Sequence, residues 1–157
     1  MQRILELLER DARLSHAEIA NMLNLDEQAV AAEIARLEEE GVIRGYKALV
    51  DWERTDRKYV TALIELRVTP KRDSGFDGLA EKIMQFDEVE SVYLMSGGFD
   101  LMLIVNGHTF KEVAMFVAKR LSPMDSVVST STHFVLRRYK DRDTLFLGEE
   151  TDERGAL

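Results

Sequence analysis

Over residues 2–11, Ile4, Leu5, Leu7 and Leu8 recur at helical spacing with Glu6, Glu9 and Arg10 on the opposite side, which predicts an amphipathic helix. Ser15-His16-Ala17-Glu18 has the form of a capping box: the serine hydroxyl accepts from the amide three residues on and the glutamate reaches back. A second helix therefore starts there and carries Ile19, Ala20, Met22 and Leu23. Asn24 suits the left-handed conformation that ends such a helix, and Asp26 suits the cap of the next. In that third helix, residues 27–40, Val30, Ile34 and Leu37 fall on one face, and Gly41 stands where a helix end favours positive φ. Three short helices with a tight turn between the last two predict a helix-turn-helix, and the stretch at 42–50 reads as a small β-wing or exit strand after it.

Residues 51–58 are polar and serve as a linker, after which the period changes. Residues 59–68 are rich in strand formers and are closed by Pro70; 76–86 returns to helical spacing through Leu79, Ile83 and Phe86. Residues 89–95 and 101–105 read as strands joined by Ser96-Gly97-Gly98-Phe99-Asp100, residues 109–121 as a helix burying Val113, Phe116, Val117 and Leu121, and 127–136 as a last strand. The order βαββαβ predicts an α+β, ferredoxin-like domain over 59–140, with an antiparallel sheet, both helices on one face, and the other face left for a second copy of the same sheet. Residues 141–157, acidic at the end, are expected to fray.

Composition narrows the chemistry. The chain has no cysteine, which excludes disulfides and cysteine metal sites, and His16, His108 and His133 stand apart without metal-ligand spacing, so no metal or cofactor is expected. The first residues lack the apolar run of a signal peptide and no stretch reaches transmembrane length, so the expected location is cytoplasmic, with no membrane partner. Two small domains in 157 residues each bury a limited core, which favours oligomerisation.

Ile4-Leu5-Glu6-Leu7-Leu8 with Asp11-Ala12-Arg13-Leu14-Ser15, then Arg36-Leu37-Glu38-Glu39-Glu40-Gly41-Val42-Ile43 with Gly45-Tyr46, then Gly97-Gly98-Phe99-Asp100-Leu101, and Thr130-Ser131-Thr132 before Val135-Leu136, resemble the Lrp/AsnC (leucine-responsive regulatory protein) family in this order and spacing. The likeness runs from Ile4 to about residue 140. It implies a winged helix-turn-helix on residues 1–50 and a RAM, ACT-like domain that binds an effector and oligomerises. It also implies homodimers that associate further, often to octamers, on double-stranded DNA, with an amino acid or related metabolite bound between dimers near the glycine loop.

In a helix-turn-helix the first turns of the second helix meet base edges while basic groups fix register on phosphates. Glu27, Gln28, Ala31, Ala32 and Ala35 then form the outward surface, with Arg36 further along and Arg44 and Lys47 on the wing. Gln28 can pair bidentately with adenine, or simply be solvated. Arg36 is assigned to phosphate by the resemblance, against pairing with Glu33 or Glu40 at helical spacing. Charge opposes the picture: residues 1–58 hold nine Lys or Arg against thirteen acids, a net charge of −4, whereas phosphate neutralisation supplies most non-specific affinity. Where the family commonly carries basic residues, this chain has Ala32, Glu33 and Ala35.

Gly97 and Gly98 permit a tight hairpin turn or the close approach of a ligand, and the resemblance places Gly97, Gly98, Phe99 and Asp100 along the effector pocket. Asp100 then either faces an ammonium or holds the loop. Thr130 and Thr132 share one face of a strand and can present hydroxyls to a ligand, or serve only as strand formers. Trp52 is expected to pack between the domains.

The leading reading is a sequence-specific transcription regulator responsive to an amino acid. The alternative is an amino-acid-binding or hetero-oligomerising relative with weak or absent DNA binding. An enzyme, prompted by siroheme decarboxylases of similar architecture, is disfavoured because residues 97–101 keep the regulator pattern and no phosphate loop, nucleophile elbow or paired histidine motif occurs.

Overall fold

A computed structural model describes residues 2–70 and 75–146. The chain divides into two compact units at Val50 and Asp51, so the polar segment after residue 50 belongs with the C-terminal unit.

The N-terminal unit contains α1 (Gln2–Arg10), α2 (His16–Leu23) and α3 (Glu27–Glu39). Its core is Ile4 and Leu8 from α1, Ile19 and Ala20 from α2, and Val30 and Ile34 from α3. The caps follow the local sequence. Ser15 Oγ accepts from the Glu18 amide at 3.2 Å, and the Ser15 amide donates to Glu18 Oε2 at 2.8 Å. Asn24 ends α2 at φ 53°, and Asp26 caps α3 by accepting from the Ala29 amide at 3.0 Å. Gly41, at φ 68°, turns the chain out of α3. Residues 44–50 pair with no strand among the described residues, so the β-wing or exit strand expected there forms no ladder.

The C-terminal unit begins with a 3-10 turn, Trp52–Arg54, and continues with β1 (Val60–Val68), α4 (Asp77–Ile83), β2 (Val89–Leu94), β3 (Leu101–Gly107), α5 (Phe110–Phe116) and β4 (Val127–Phe134). The four strands form an antiparallel sheet in the order β2-β3-β1-β4. Alternation along β1 sends Ala62, Ile64, Leu66 and Val68 to the side covered by α4 and α5, where they meet Leu101, Leu103, Val105, Ile83, Val113 and Phe116. The helix expected over 109–121 widens after Phe116 into a π turn, Val117–Leu121, which keeps Val117 and Leu121 buried. On the opposite face stand Leu63 and Glu65 of β1, paired with Ile104 and Met102 of β3, and Tyr93 of β2 beside Met102.

Trp52 stands 5.8 Å from the Tyr59 ring and 4.5 Å from the Arg57 guanidinium. One further expectation changes. The region expected to fray from residue 141 begins instead with a hairpin, β5 (Lys140–Asp141) and β6 (Thr144–Leu145). Arg142 and Asp143 both take positive φ, 43° and 64°, as a two-residue hairpin turn of the primed type requires. The remainder of that tail, residues 147–157, lies outside the described residues.

Candidate nucleic-acid and effector sites

The buried stripe Val30, Ile34 and Leu37 fixes which side of α3 is turned outward. Gln28, in the first turn, and Ala32 and Ala35 beyond it are exposed. Ala31 is half-buried: with Ala35 and Glu38 it lines a cleft of about 320 Å³ whose other walls include Leu8, His16 and Tyr46. Ala31 thus faces sideways rather than fully outward. The Tyr46 hydroxyl donates to Glu38 Oε1 at 2.8 Å, and burial, then this carboxylate, pushes the phenol above its ordinary range.

Arg36 is engaged along α3. Its Nε and Nη2 donate to the two oxygens of Glu33 at 3.0 and 2.8 Å, and Nη1 donates to Glu40 at 2.6 Å. The bonds to Glu33 and then Glu40 hold the guanidinium above its usual range, and the bond from Arg36 holds the Glu33 carboxyl below its own. Helical spacing of three and four residues made this triad readable. The Arg44 guanidinium lies over Gly41, 3.4 Å from where a side chain there would begin, and Lys47 is exposed on the unpaired segment.

In the C-terminal unit the β2–β3 connection is closed by the Met95 amide donating to the Asp100 carbonyl at 2.8 Å. Gly97 adopts φ 146°, and Gly97 and Gly98 are exposed with open space around them. Asp100 is half-buried and turned inward. Its Oδ2 accepts from the Val68 amide at 2.8 Å, and its own amide donates to the Leu66 carbonyl at 2.9 Å. The β1–β3 ladder ends at Leu66 and Leu101, so this carboxylate stands in for a further β3 residue as the acceptor for the Val68 amide.

Thr130 pairs with Leu66 and Thr132 with Ile64. Directly paired residues share a face, so both threonines are on the helix-covered side, half-buried at the sheet edge. Ser129, Ser131 and His133 take the open side. Leu66 also pairs with Leu101, which puts the glycine loop and Thr130 on opposite flanks of β1, about 10 Å apart at two strand spacings.

An exposed helix-turn-helix joined to a separate α+β domain with an open glycine loop is the build of a DNA-binding regulator that carries its own ligand-binding domain. Residues 1–44 match a winged helix-turn-helix DNA-binding domain, and residues 61–145 match the Lrp/AsnC ligand binding domain. The chain is 46% identical, over 96% of its length and 92% of the relative's, to the uncharacterized HTH-type transcriptional regulator YugG of Bacillus subtilis. It is 30% identical to the proline dehydrogenase transcriptional activator of Rhodobacter capsulatus over 91% of this chain and 92% of that one. A transcriptional regulator of Neisseria meningitidis solved with L-methionine has the same fold, with a TM-score of 0.73 at 24% identity, covering 88% of this chain and 89% of that one. The chain belongs to the Lrp/AsnC family of transcriptional regulators.

Proposed function

We propose that this chain is a sequence-specific DNA-binding regulator of transcription whose affinity for its operator changes when an amino acid or closely related metabolite binds the C-terminal domain. The observation that carries the reading is the exposure of Gln28 in the first turn of α3, the position from which the second helix of a helix-turn-helix meets base edges. Gln28 pairs with adenine, Ala31 and Ala32 let the helix approach the groove, and Arg44 and Lys47 meet phosphates. In the sensing half, the exposed amides at Gly97 and Gly98 hold the α-carboxylate of the effector. Asp100 takes the ammonium with the oxygen that Val68 does not use, Phe99 contacts the rest, and Thr130 and Thr132 reach the effector from a neighbouring subunit. That the meningococcal relative was solved with L-methionine supports an amino acid in this role. The protein works as a homodimer that associates further, to an assembly such as an octamer, in the cytoplasm where its DNA is. It has no catalytic role, in keeping with relatives that are named as regulators.

The test is binding of the full-length protein to DNA upstream of its own gene across a salt series, with and without each protein amino acid. Saturable, salt-steep binding shifted by one amino acid is expected. By linkage, DNA must then shift the affinity for that amino acid by the same factor. A second reading, a sensor or hetero-oligomerising partner with a weak DNA head, is favoured by the engagement of Arg36 with two carboxylates. Absence of binding at low salt, from folded and oligomeric protein, selects it.

A further inference from the structure

We propose that Glu33 and Glu40 act together as an acidic clamp that withholds Arg36 from DNA phosphate, so that two carboxylates on the recognition helix set the affinity for duplex DNA. This rests on α3 being the helix that docks on DNA.

Each guanidinium nitrogen of Arg36 donates to a carboxylate three or four residues away along the chain. Glu33 grips Nε and Nη2 through a two-bond fork, and Glu40 takes Nη1 from the following turn. A phosphate recognises arginine through the same planar donor edge, so the two uses compete. Each pair is exposed and individually weak, and a lone partner would yield to DNA. Two partners change the balance. If Arg36 turned to a phosphate, it would leave both carboxylates without its charge beside a polyanion, whereas in the closed triad it offsets one of them. The arrangement is also redundant, because removing Glu40 leaves the fork to Glu33 intact. Arg36 is thereby a latent phosphate contact.

Phosphate contacts are independent of base sequence, so mixed-sequence duplex DNA is a sufficient probe. The full-length protein is compared with Arg36→Ala, with Glu33→Ala/Glu40→Ala, and with the triple variant, by fluorescence anisotropy across a salt series. Alanine keeps the helix propensity high, and far-UV circular dichroism checks that α3 survives. The clamp predicts that Arg36→Ala leaves the salt slope of the parent protein unchanged. It predicts that the double variant steepens the slope by about 0.9 for each DNA-bound head, so that roughly 3.5-fold more affinity is lost per head between about 50 and 200 mM salt. The triple variant returns to the parent slope. Glu40→Ala alone, which keeps the fork to Glu33, moves the slope less than the double variant does.

Two results overturn the clamp: a shallower slope on Arg36→Ala in the parent protein, which would mean that Arg36 already touches phosphate, or equal slopes for the double and triple variants, which would mean that only repulsion was relieved. If the parent protein fails to bind and the double variant binds with a slope that Arg36→Ala reduces, the regulator reading fails for this chain while the clamp stands. Failure of every variant to bind overturns both.

Discussion

Asp100 is the residue whose job depends most on the fold. Its carboxylate reaches across to the Val68 amide at 2.8 Å, just past the last β1–β3 pair, Leu66 and Leu101. A half-buried amide that loses a charged acceptor costs about 1–3 kcal/mol, so Asp100→Ala is expected to lower the unfolding free energy of the C-terminal unit by that amount. Asp100→Asn keeps a carbonyl oxygen in reach and should cost less. Urea unfolding followed by the fluorescence of Trp52, the one tryptophan in the chain, reads both variants. Equal stability of Asp100→Ala and the parent would mean that the bond to Val68 contributes nothing. The sequence left this residue open between ligand and loop because its partner is thirty-two residues away. Thr130 and Thr132 show the same boundary: alternation says that they share a face, but only the pairing with Leu66 and Ile64 says which. Asn24 and Asp26, by contrast, were legible because their partners lie within one turn.

Among elements, α2 is the one whose boundary is most completely encoded. Ser15 Oγ accepts from the Glu18 amide and donates to Glu18 Oε2 at 2.7 Å, while the Ser15 amide donates to the same oxygen. Removing the hydroxyl by Ser15→Ala is expected to destabilise the N-terminal unit by about 1 kcal/mol. The far-UV circular dichroism transition of the full chain should shift while that of Trp52, in the other unit, stays in place. The box also titrates. Hydrogen bonds from the Ser15 amide, then its hydroxyl, hold the Glu18 carboxyl below the usual range. Its folded value lies under its unfolded one, so its contribution is fully present above about pH 4.3, the ordinary glutamate value, and fades as pH falls through the lowered folded value. Glu18→Gln should therefore flatten the acid side of the stability profile, and an unchanged profile would remove Glu18 from the acid response. Elements that close through local bonds are legible in this way. The segment 44–50 is different, because among the described residues no strand lies beside it. So is the β5–β6 hairpin, whose turn stands on positive φ at Arg142 and Asp143 rather than on the glycine or asparagine that would have announced it.

For the whole molecule, the open face of the sheet shows how far pattern reaches and where it needs coordinates. Strand alternation predicted a face without helices, and Leu63, Met102, Ile104 and Tyr93 come together on it among Glu65, Ser131 and His133. The mixture matters: Glu65 lies 3.4 Å from His133, so the apolar residues form a patch rather than a continuous apolar sheet face. A stable interface between two protein surfaces buries about 1,200–2,000 Å² in total, within the reach of two four-stranded sheets packed face to face. If a second copy covers this face, Ile104, which pairs with Leu63 and lies beside Ser91 of β2, is close to its middle. Ile104→Glu would bury a carboxylate without a partner there, at a cost of about 3–5 kcal/mol. At about 1.4 kcal/mol per tenfold, the dimer dissociation constant should rise at least about 100-fold. Thr144→Glu, on the exposed β6 strand, adds the same charge away from the face and should leave assembly unchanged. Sedimentation velocity across a dilution series separates the outcomes, with Trp52 fluorescence confirming that the unit remains folded. Dissociation by Ile104→Glu alone assigns the open face to self-association. Retention of the assembly by both variants moves the interface to another surface, and β2 and β4 become the places to look, since among the described strands they are the two edges of the sheet.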